Sequence, residues 1–327
     1  MKIRLQVKKI TILVCLICKL FSDDFDREKV KFISANPFSF FDIITNLKYQ
    51  KVQEVYGVLN FPEVSEIKSF PLIIGVPGSY SWASHHYEYM EMFRKNGFAT
   101  FELKSFESRN ISSTVGSQIQ VTTAMIILDA YRALQLLSRD KRINIDQVGI
   151  IGWSLGGAVS LYSAWEPLKE VISSDLGFKA HLSLYPPCMV DLDLVEFTDA
   201  SIHILAGELD DWVPAASCED LIIKMKLSGA NANITVYENA HHSFDRSTKV
   251  RVDEDGYKFG DCFFRMRDDG AVLMNFFGIP MDTPLRQKIG LAFCTDRGPT
   301  YGGDPRARKS SFKFALDFMT DNLSKDK

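Results

Sequence analysis

Gly152-Trp153-Ser154-Leu155-Gly156-Gly157 is the segment of this chain with the most evident chemical purpose. It follows the apolar run at residues 148–151 and leads into Ala158, Val159 and Leu161. That context reads as a very sharp strand-to-helix turn, which lifts a serine hydroxyl above the end of a sheet. The positions flanking the serine must then be small, because side chains there would collide inside the turn. Gly157 and Ala158 would let the helix pack close to neighbouring strands. The helix N-terminus turns its free N–H groups towards developing negative charge. Without the strand and the helix, Gly-x-Ser-x-Gly is a common accident, and a plain glycine-rich turn is the reading without chemistry.

A serine hydroxyl is a weak nucleophile until a neighbouring base takes its proton. In a sheet of this kind the partners come later in the chain, an acid and then a histidine, each just after a strand. The apolar run 202–206 is followed by Gly207-Glu208-Leu209-Asp210-Asp211-Trp212-Val213-Pro214. Asp210 is the expected acid, with Asp211 as the alternative; a solvated turn capping the next helix is the bland reading. The run 234–237 is followed by Glu238-Asn239-Ala240-His241-His242-Ser243-Phe244. His242 is the expected base, with His241 as the alternative; an imidazole titrates near working pH, which suits a general base. Two surface histidines in a loop are the competing reading. The oxyanion of acyl transfer needs donors as well. The N–H of Leu155 is one, and Pro77-Gly78-Ser79-Tyr80 is placed to give the second, from Ser79 first and Tyr80 next. His85 and His86 open a helix near the site and are expected at the surface. His181 and His203 start strands at the far end of the sheet.

These groups meet only if particular elements hold them. Residues 70–76 (FPLIIGV) form a continuous apolar run, as a buried parallel strand does. Strands are expected at 98–103, 148–152, 181–185, 202–206 and 234–237. Helices are expected at 87–95, 118–138, 154–165 and 214–227, with a closing helix whose apolar face is Phe312, Ala315, Leu316, Met319 and Leu323. Residues 50–61 alternate and read as one or two antiparallel strands at a sheet edge. The alternation predicts an α/β fold, a mostly parallel central sheet with helices on both faces, in one domain over about residues 30–327. Sites in such sheets lie beyond the carboxyl ends of the strands.

The first 22 residues differ from the rest. Lys2, Arg4, Lys8 and Lys9 precede the apolar run 10–17, and Asp23, Asp24 and Asp26 follow. This pattern reads as a signal peptide, and the chain as exported, periplasmic or secreted; the alternative is an apolar extension of a cytoplasmic protein. The run is too short for a stable membrane span. Cys15 sits inside it and Cys18 directly after it, away from any redox turn. The remaining cysteines are Cys188, Cys218, Cys262 and Cys294. Their positions suggest the pairs Cys188–Cys218 and Cys262–Cys294, although spacing alone does not fix connectivity. A net charge of −3 gives no electrostatic case for a nucleic-acid partner. No metal-ligand or nucleotide-loop spacing occurs, so no cofactor is expected.

From about Tyr49 to its end, the chain resembles the dienelactone hydrolase family of α/β-hydrolases. Beyond the segments around Ser154, Asp210 and His242, two further stretches carry the likeness: Phe106-Glu107-Ser108-Arg109, and the run from Gly298-Pro299-Thr300-Tyr301 to Asp304-Pro305-Arg306-Ala307-Arg308. The resemblance implies the α/β-hydrolase fold, with Ser154 as nucleophile, Asp210 as acid and His242 as base. It implies hydrolysis of a small-molecule carboxylic ester or lactone through an acyl-enzyme. The founding members use cysteine where this chain has Ser154, so the dienelactone substrate itself does not carry over. Many relatives of the wider fold have histidine where Pro77 stands. Acyl or peptidyl transfer, and peptidase action, use the same machinery; a binding protein that keeps the fold without turnover is the reading from another class. The loop 105–117 and the insertion 245–305 are expected to shape the pocket.

Overall fold

The apolar runs assemble as the middle of a single eight-stranded sheet. The computed structural model describes residues 27–63, 69–275 and 277–324; the expected signal peptide, with Cys15 and Cys18, lies outside the described residues. The chain enters through β1 (Arg27–Ala35), α1 (Phe40–Asn46), β2 (Val52–Asn60) and β3 (Phe70–Val76). It continues through α2 (Ser84–Lys95), β4 (Ala99–Leu103), α3 (Thr123–Leu137), β5 (Ile143–Trp153) and α4 (Leu155–Tyr162). Then come α5 (Glu166–Ile172), β6 (Ala180–Leu184), the short β7 (Val190–Leu192), β8 (Ser201–Gly207), α6 (Ala215–Leu227) and β9 (Ala232–Tyr237). The strand order is β1-β2-β4-β3-β5-β6-β8-β9. Only the β1–β2 and β2–β4 pairings are antiparallel, so β2 is the one reversed strand.

Residues 52–60 therefore do not form the sheet edge that their alternation suggested. β1 covers them on that side, with Arg27 paired to Asn60 and Ala35 to Val52. The β1 sequence REKVKFISA puts Arg27, Lys29 and Lys31 at alternate, exposed positions, as an edge strand with one wet face should.

Successive side chains of the central strands enter different cores. Leu72, Ile74, Val76, Ile150, Ile202 and Ile204 pack with α3, α4 and α6 on one face. Ile73, Ile151, Trp153, Leu182 and Leu205 pack on the other face with α2 and the closing helix α8, described below. This period-2 division is what a sheet buried on both sides imposes.

Helix α3 starts at Thr123, five residues after the expected position. The Thr122 hydroxyl caps it by accepting from Met125 N–H, and Gln118 sits in the left-handed region at φ 56. The loop before it is held by Arg109, whose guanidinium makes a two-pronged pair with Asp129 of α3 at 2.7 and 3.1 Å. The same guanidinium donates to Ala35 O and Asn36 Oδ1. Arg109 of the Phe106–Arg109 segment thus ties β1, α3 and this loop together.

The insertion after β9 is built from pieces of two or three strand residues: β10 (Arg251–Val252), β11 (Tyr257–Lys258), β12 (Phe264–Met266) and β13 (Val272–Leu273). α7 (Pro284–Ala292), β14 (Asp296–Arg297) and β15 (Thr300–Tyr301) follow, and α8 (Pro305–Leu323) closes the chain. β12 pairs parallel with β7, which fastens the insertion to the segment after β6. Two disulfides, Cys188–Cys218 and Cys262–Cys294, fix the same region, with Cα–Cα distances of 4.9 Å in each. The first joins the β6 exit to α6; the second closes the insertion on itself.

Candidate active site

The turn between β5 and α4 places Ser154 at φ 54, ψ −113, a conformation an L-residue holds only at a cost of about 1–3 kcal/mol. The glycines around it are sterically required. A Cβ on Gly152 would lie 1.8 Å from Gly156 O, and one on Gly156 would lie 2.1 Å from Val76 O. Ser154 N–H donates to Leu184 O at 2.9 Å, which anchors the turn to β6.

The acid and the histidine arrive on the loops after β8 and β9. His242 Nε2 is 3.0 Å from Ser154 Oγ, and His242 Nδ1 is 2.7 Å from Asp210 Oδ2. Asp210 Oδ1 accepts from the N–H groups of Trp212 and Val213 at 3.0 and 2.9 Å. Asp210 is a pure acceptor when ionised, so Nδ1 must carry the imidazole proton and Nε2 presents its lone pair to the serine. Asp210 and His242 are both buried. The ring of His242 is held between Tyr185, edge-on at 4.7 Å, and Trp212 at 4.9 Å.

Both alternatives face elsewhere. Asp211 accepts from Thr300 N–H and Oγ1 at 2.7 and 2.8 Å and pairs with Lys258 at 2.8 Å. His241 Nδ1 is 2.8 Å from the same Thr300 hydroxyl. These two residues hold the insertion against the sheet while their neighbours meet Ser154.

Ser79 and Leu155 line one cavity with Ser154. Among the described residues, neither N–H is spent on a backbone carbonyl, which leaves both free for an oxyanion. The Ser79 carbonyl accepts from Thr114 N–H at 2.9 Å, which orients that peptide. Tyr80 donates its hydroxyl to Asp253 of the insertion at 2.5 Å. Burial first, and Asp253 second, push the Tyr80 hydroxyl pKa well up, so it stays protonated.

Two spaces open beside the serine. The larger, about 230 Å³, runs under the insertion and has a mainly apolar lining. The smaller, about 30 Å³, is lined by His242, Tyr80, Tyr301 and Arg246 among others. Arg246 lies 5.5 Å over the Tyr301 ring, and its buried Nε has no partner.

His85 and His86 are not surface residues. They are 1% and 2% exposed, and burial holds both imidazoles well below the ordinary histidine pKa. His86 stacks on Trp153 at 4.4 Å, and His85 Nε2 lies 3.7 Å from the buried Asp245. The reason is the face of α2 they share with Tyr89, Met90 and Phe93, all buried. Sequence reasoning missed Asp245 as well. It accepts from the Tyr185 hydroxyl at 2.8 Å and so sets the ring that flanks His242. Its spacing, three residues after His242, was the available signal.

A parallel-centred sheet, a glycine-flanked serine on the β5–α4 turn and the order Ser, Asp, His define an α/β-hydrolase fold. The dienelactone hydrolase family model matches residues 90–259, just over half of the chain, and the chain belongs to that family. A protein of Bradyrhizobium sp named as a probable 2-oxo-3-(5-oxofuran-2-ylidene)propanoate lactonase is 24% identical over 139 residues, 41% of this chain. The chain spans 56% of the length of that relative. Among solved structures, a dienelactone hydrolase-like promiscuous phosphotriesterase from metagenomic libraries superposes with TM-score 0.52 at 15% identity, covering 91% of this chain and 100% of that one. Thermogutta terrifontis esterase 2, phosphorylated by paraoxon, gives TM-score 0.53 at 15% identity, over 84% of this chain and 92% of its own. An acylaminoacyl peptidase of Pyrococcus horikoshii gives 0.55 at 14%, over 94% of this chain and 44% of its own. At these identities the structures speak for the fold alone.

Proposed function

We propose that this protein is a hydrolase of carboxylic esters or lactones, working through Ser154, His242 and Asp210. The observation that carries the proposal is the continuous line of contacts from Asp210 Oδ2 through the imidazole to Ser154 Oγ, at 2.7 and 3.0 Å. In the acylation step Ser154 Oγ bonds to the carbonyl carbon while its proton passes to His242 Nε2. The carbonyl π pair moves onto oxygen, where the N–H groups of Ser79 and Leu155 receive it. Collapse breaks the C–O bond to the alcohol, and that oxygen takes the proton from Nε2. Water then repeats the sequence on the acyl-enzyme, releasing the acid and restoring Ser154. Asp210 keeps the proton on Nδ1 and stabilises the imidazolium.

Arg246 supports a substrate that carries negative charge near the reacting bond, because its unpartnered Nε–H would donate to a carboxylate. The Bradyrhizobium relative is named for a propanoate, which fits that reading. Export is supported by the two disulfides, which persist in oxidising compartments; finding the native protein in the cytosol would contradict it. The hydrolase proposal is tested by comparing wild type with Ser154→Ala on a panel of aryl esters, lactones and peptides. The expected result is ester or lactone turnover abolished in the variant, with the fold retained. Turnover confined to peptides would favour a peptidase, and turnover unchanged by Ser154→Ala would end the proposal.

A further inference from the structure

The two spaces beside Ser154 divide the substrate between them, and this division rests on the hydrolase reading above. His242 must return its proton to the leaving oxygen, so that oxygen has to lie within reach of Nε2. His242 lines the small nook and not the larger cavity. The alcohol part of an ester therefore sits on the nook side, and the acyl part extends the other way. That direction is the larger cavity, which is lined by Ser154 and by both candidate oxyanion donors.

The chemistry of its wall selects the acyl group. Phe40, Ala158 and Tyr162 close it from the sheet side, and Phe264, Met266 and Leu291 close it from the insertion. Its polar groups come from serine, threonine and glutamine side chains with Tyr162 and Trp212, and no charged residue is among those that line it. A carboxylate or ammonium on the acyl part would lose its hydration with no counter-charge, which is costly. The volume of about 230 Å³ corresponds to roughly seven or eight water-sized atoms at about 30 Å³ each. We propose that the cavity is an acyl site for uncharged apolar chains of about six to eight carbons, so that the preferred substrate is a medium-chain acyl ester of a small alcohol.

The test is kcat/KM for wild type on a series of 4-nitrophenyl esters from acetate to dodecanoate. Each methylene that enters the cavity should raise kcat/KM by about fourfold, until the cavity is full. The expected profile climbs by about 250-fold or more from acetate to a maximum at hexanoate or octanoate, then falls. Val272→Phe, which fills the cavity from the insertion side, should lower the octanoate-to-acetate ratio at least tenfold. Leu291→Ala, which enlarges it, should raise the decanoate-to-octanoate ratio, and it keeps the proposal testable if the first variant fails to fold. Wild-type turnover that is greatest on acetate, or ratios that neither variant moves, would overturn the acyl-site proposal while leaving the hydrolase reading standing. Absence of turnover on every ester would overturn both.

Discussion

Replacing Asp210 by asparagine should disable the site without disturbing its shape, and the structure dictates how. Asp210 Oδ1 accepts two backbone N–H groups, those of Trp212 and Val213. In Asp210→Asn the amide oxygen must keep that position, since an NH2 there would face two donors in a buried place. The NH2 is then aimed at His242 Nδ1, which has to become an acceptor. The imidazole proton moves to Nε2, and the lone pair that should take the serine proton is gone. A wrong tautomer of this kind costs about 10⁴ in kcat, or about 5.5 kcal/mol of barrier. The two backbone bonds survive, so the thermal midpoint should move by no more than about 2 °C, the response to roughly 0.5 kcal/mol in a chain of this size. Steady-state hydrolysis of a 4-nitrophenyl ester, with thermal unfolding in parallel, provides both readings. Asp211→Asn serves as the companion, because Asp211 binds Thr300 and Lys258 instead. Asp210→Asn retaining more than a few per cent of turnover, or Asp211→Asn losing as much as it does, would refute this reasoning.

Asp245 is fully buried, and burial pushes its carboxyl up to about 6 from 3.8, against the opposing hydrogen bond from Tyr185. The folded state therefore binds a proton more tightly than the unfolded one, so stability falls as pH rises between about 4 and 6. Asn keeps the acceptor for Tyr185, so Asp245→Asn should remove this loss and gain on the order of 3 kcal/mol at pH 7 relative to its effect at pH 4; a denaturant series showing equal shifts at both pH values would contradict it. His85 contributes the opposite slope below its ordinary value, because burial keeps it neutral. Removing the Cys262–Cys294 bridge as a double serine variant opens a loop with a sequence separation of 32 residues, worth about 4 kcal/mol in the chain-entropy limit. Phe264 and Leu291 near its two ends wall the acyl cavity, so the octanoate-to-acetate ratio should also fall; an unchanged ratio with unchanged stability would refute the bridge's role. Arg109→Ala leaves the carboxylate of Asp129 buried opposite nothing but the Ser105 hydroxyl, and should cost about 3–5 kcal/mol by chemical denaturation. A loss below about 1 kcal/mol would mean that water or another cation replaces it.

The elements that carry the site could be read because their physics is local. A glycine two residues before a serine and another two after it are demanded by contacts within the turn itself, and apolar runs announce buried strands. The choice between Asp210 and Asp211, or between His241 and His242, is not local. Thr300 decides it, by taking Asp211 and His241 for itself from a strand about 60 to 90 residues further on. β1 escaped notice because an edge strand alternates charged and half-buried residues and offers no continuous apolar run. His85 and His86 were misread because polarity was weighed above periodicity, though they share a helix face with Tyr89 and Phe93. The insertion was legible only as an insertion. Its strands are two or three residues long, and they hold together through β7, two disulfides and the site itself rather than through any pattern of their own.

The account rests most directly on a serine hydroxyl that His242 can deprotonate. Intact-mass and peptide mass spectrometry after exposure to a fluorophosphonate probe measures this at a single atom. Wild type should gain one adduct, on Ser154, at a rate that falls by about 10³-fold or more in His242→Ala, while Ser154→Ala gains none. Folded wild-type protein that stays unlabelled, or that carries the adduct on a different residue, would contradict the account.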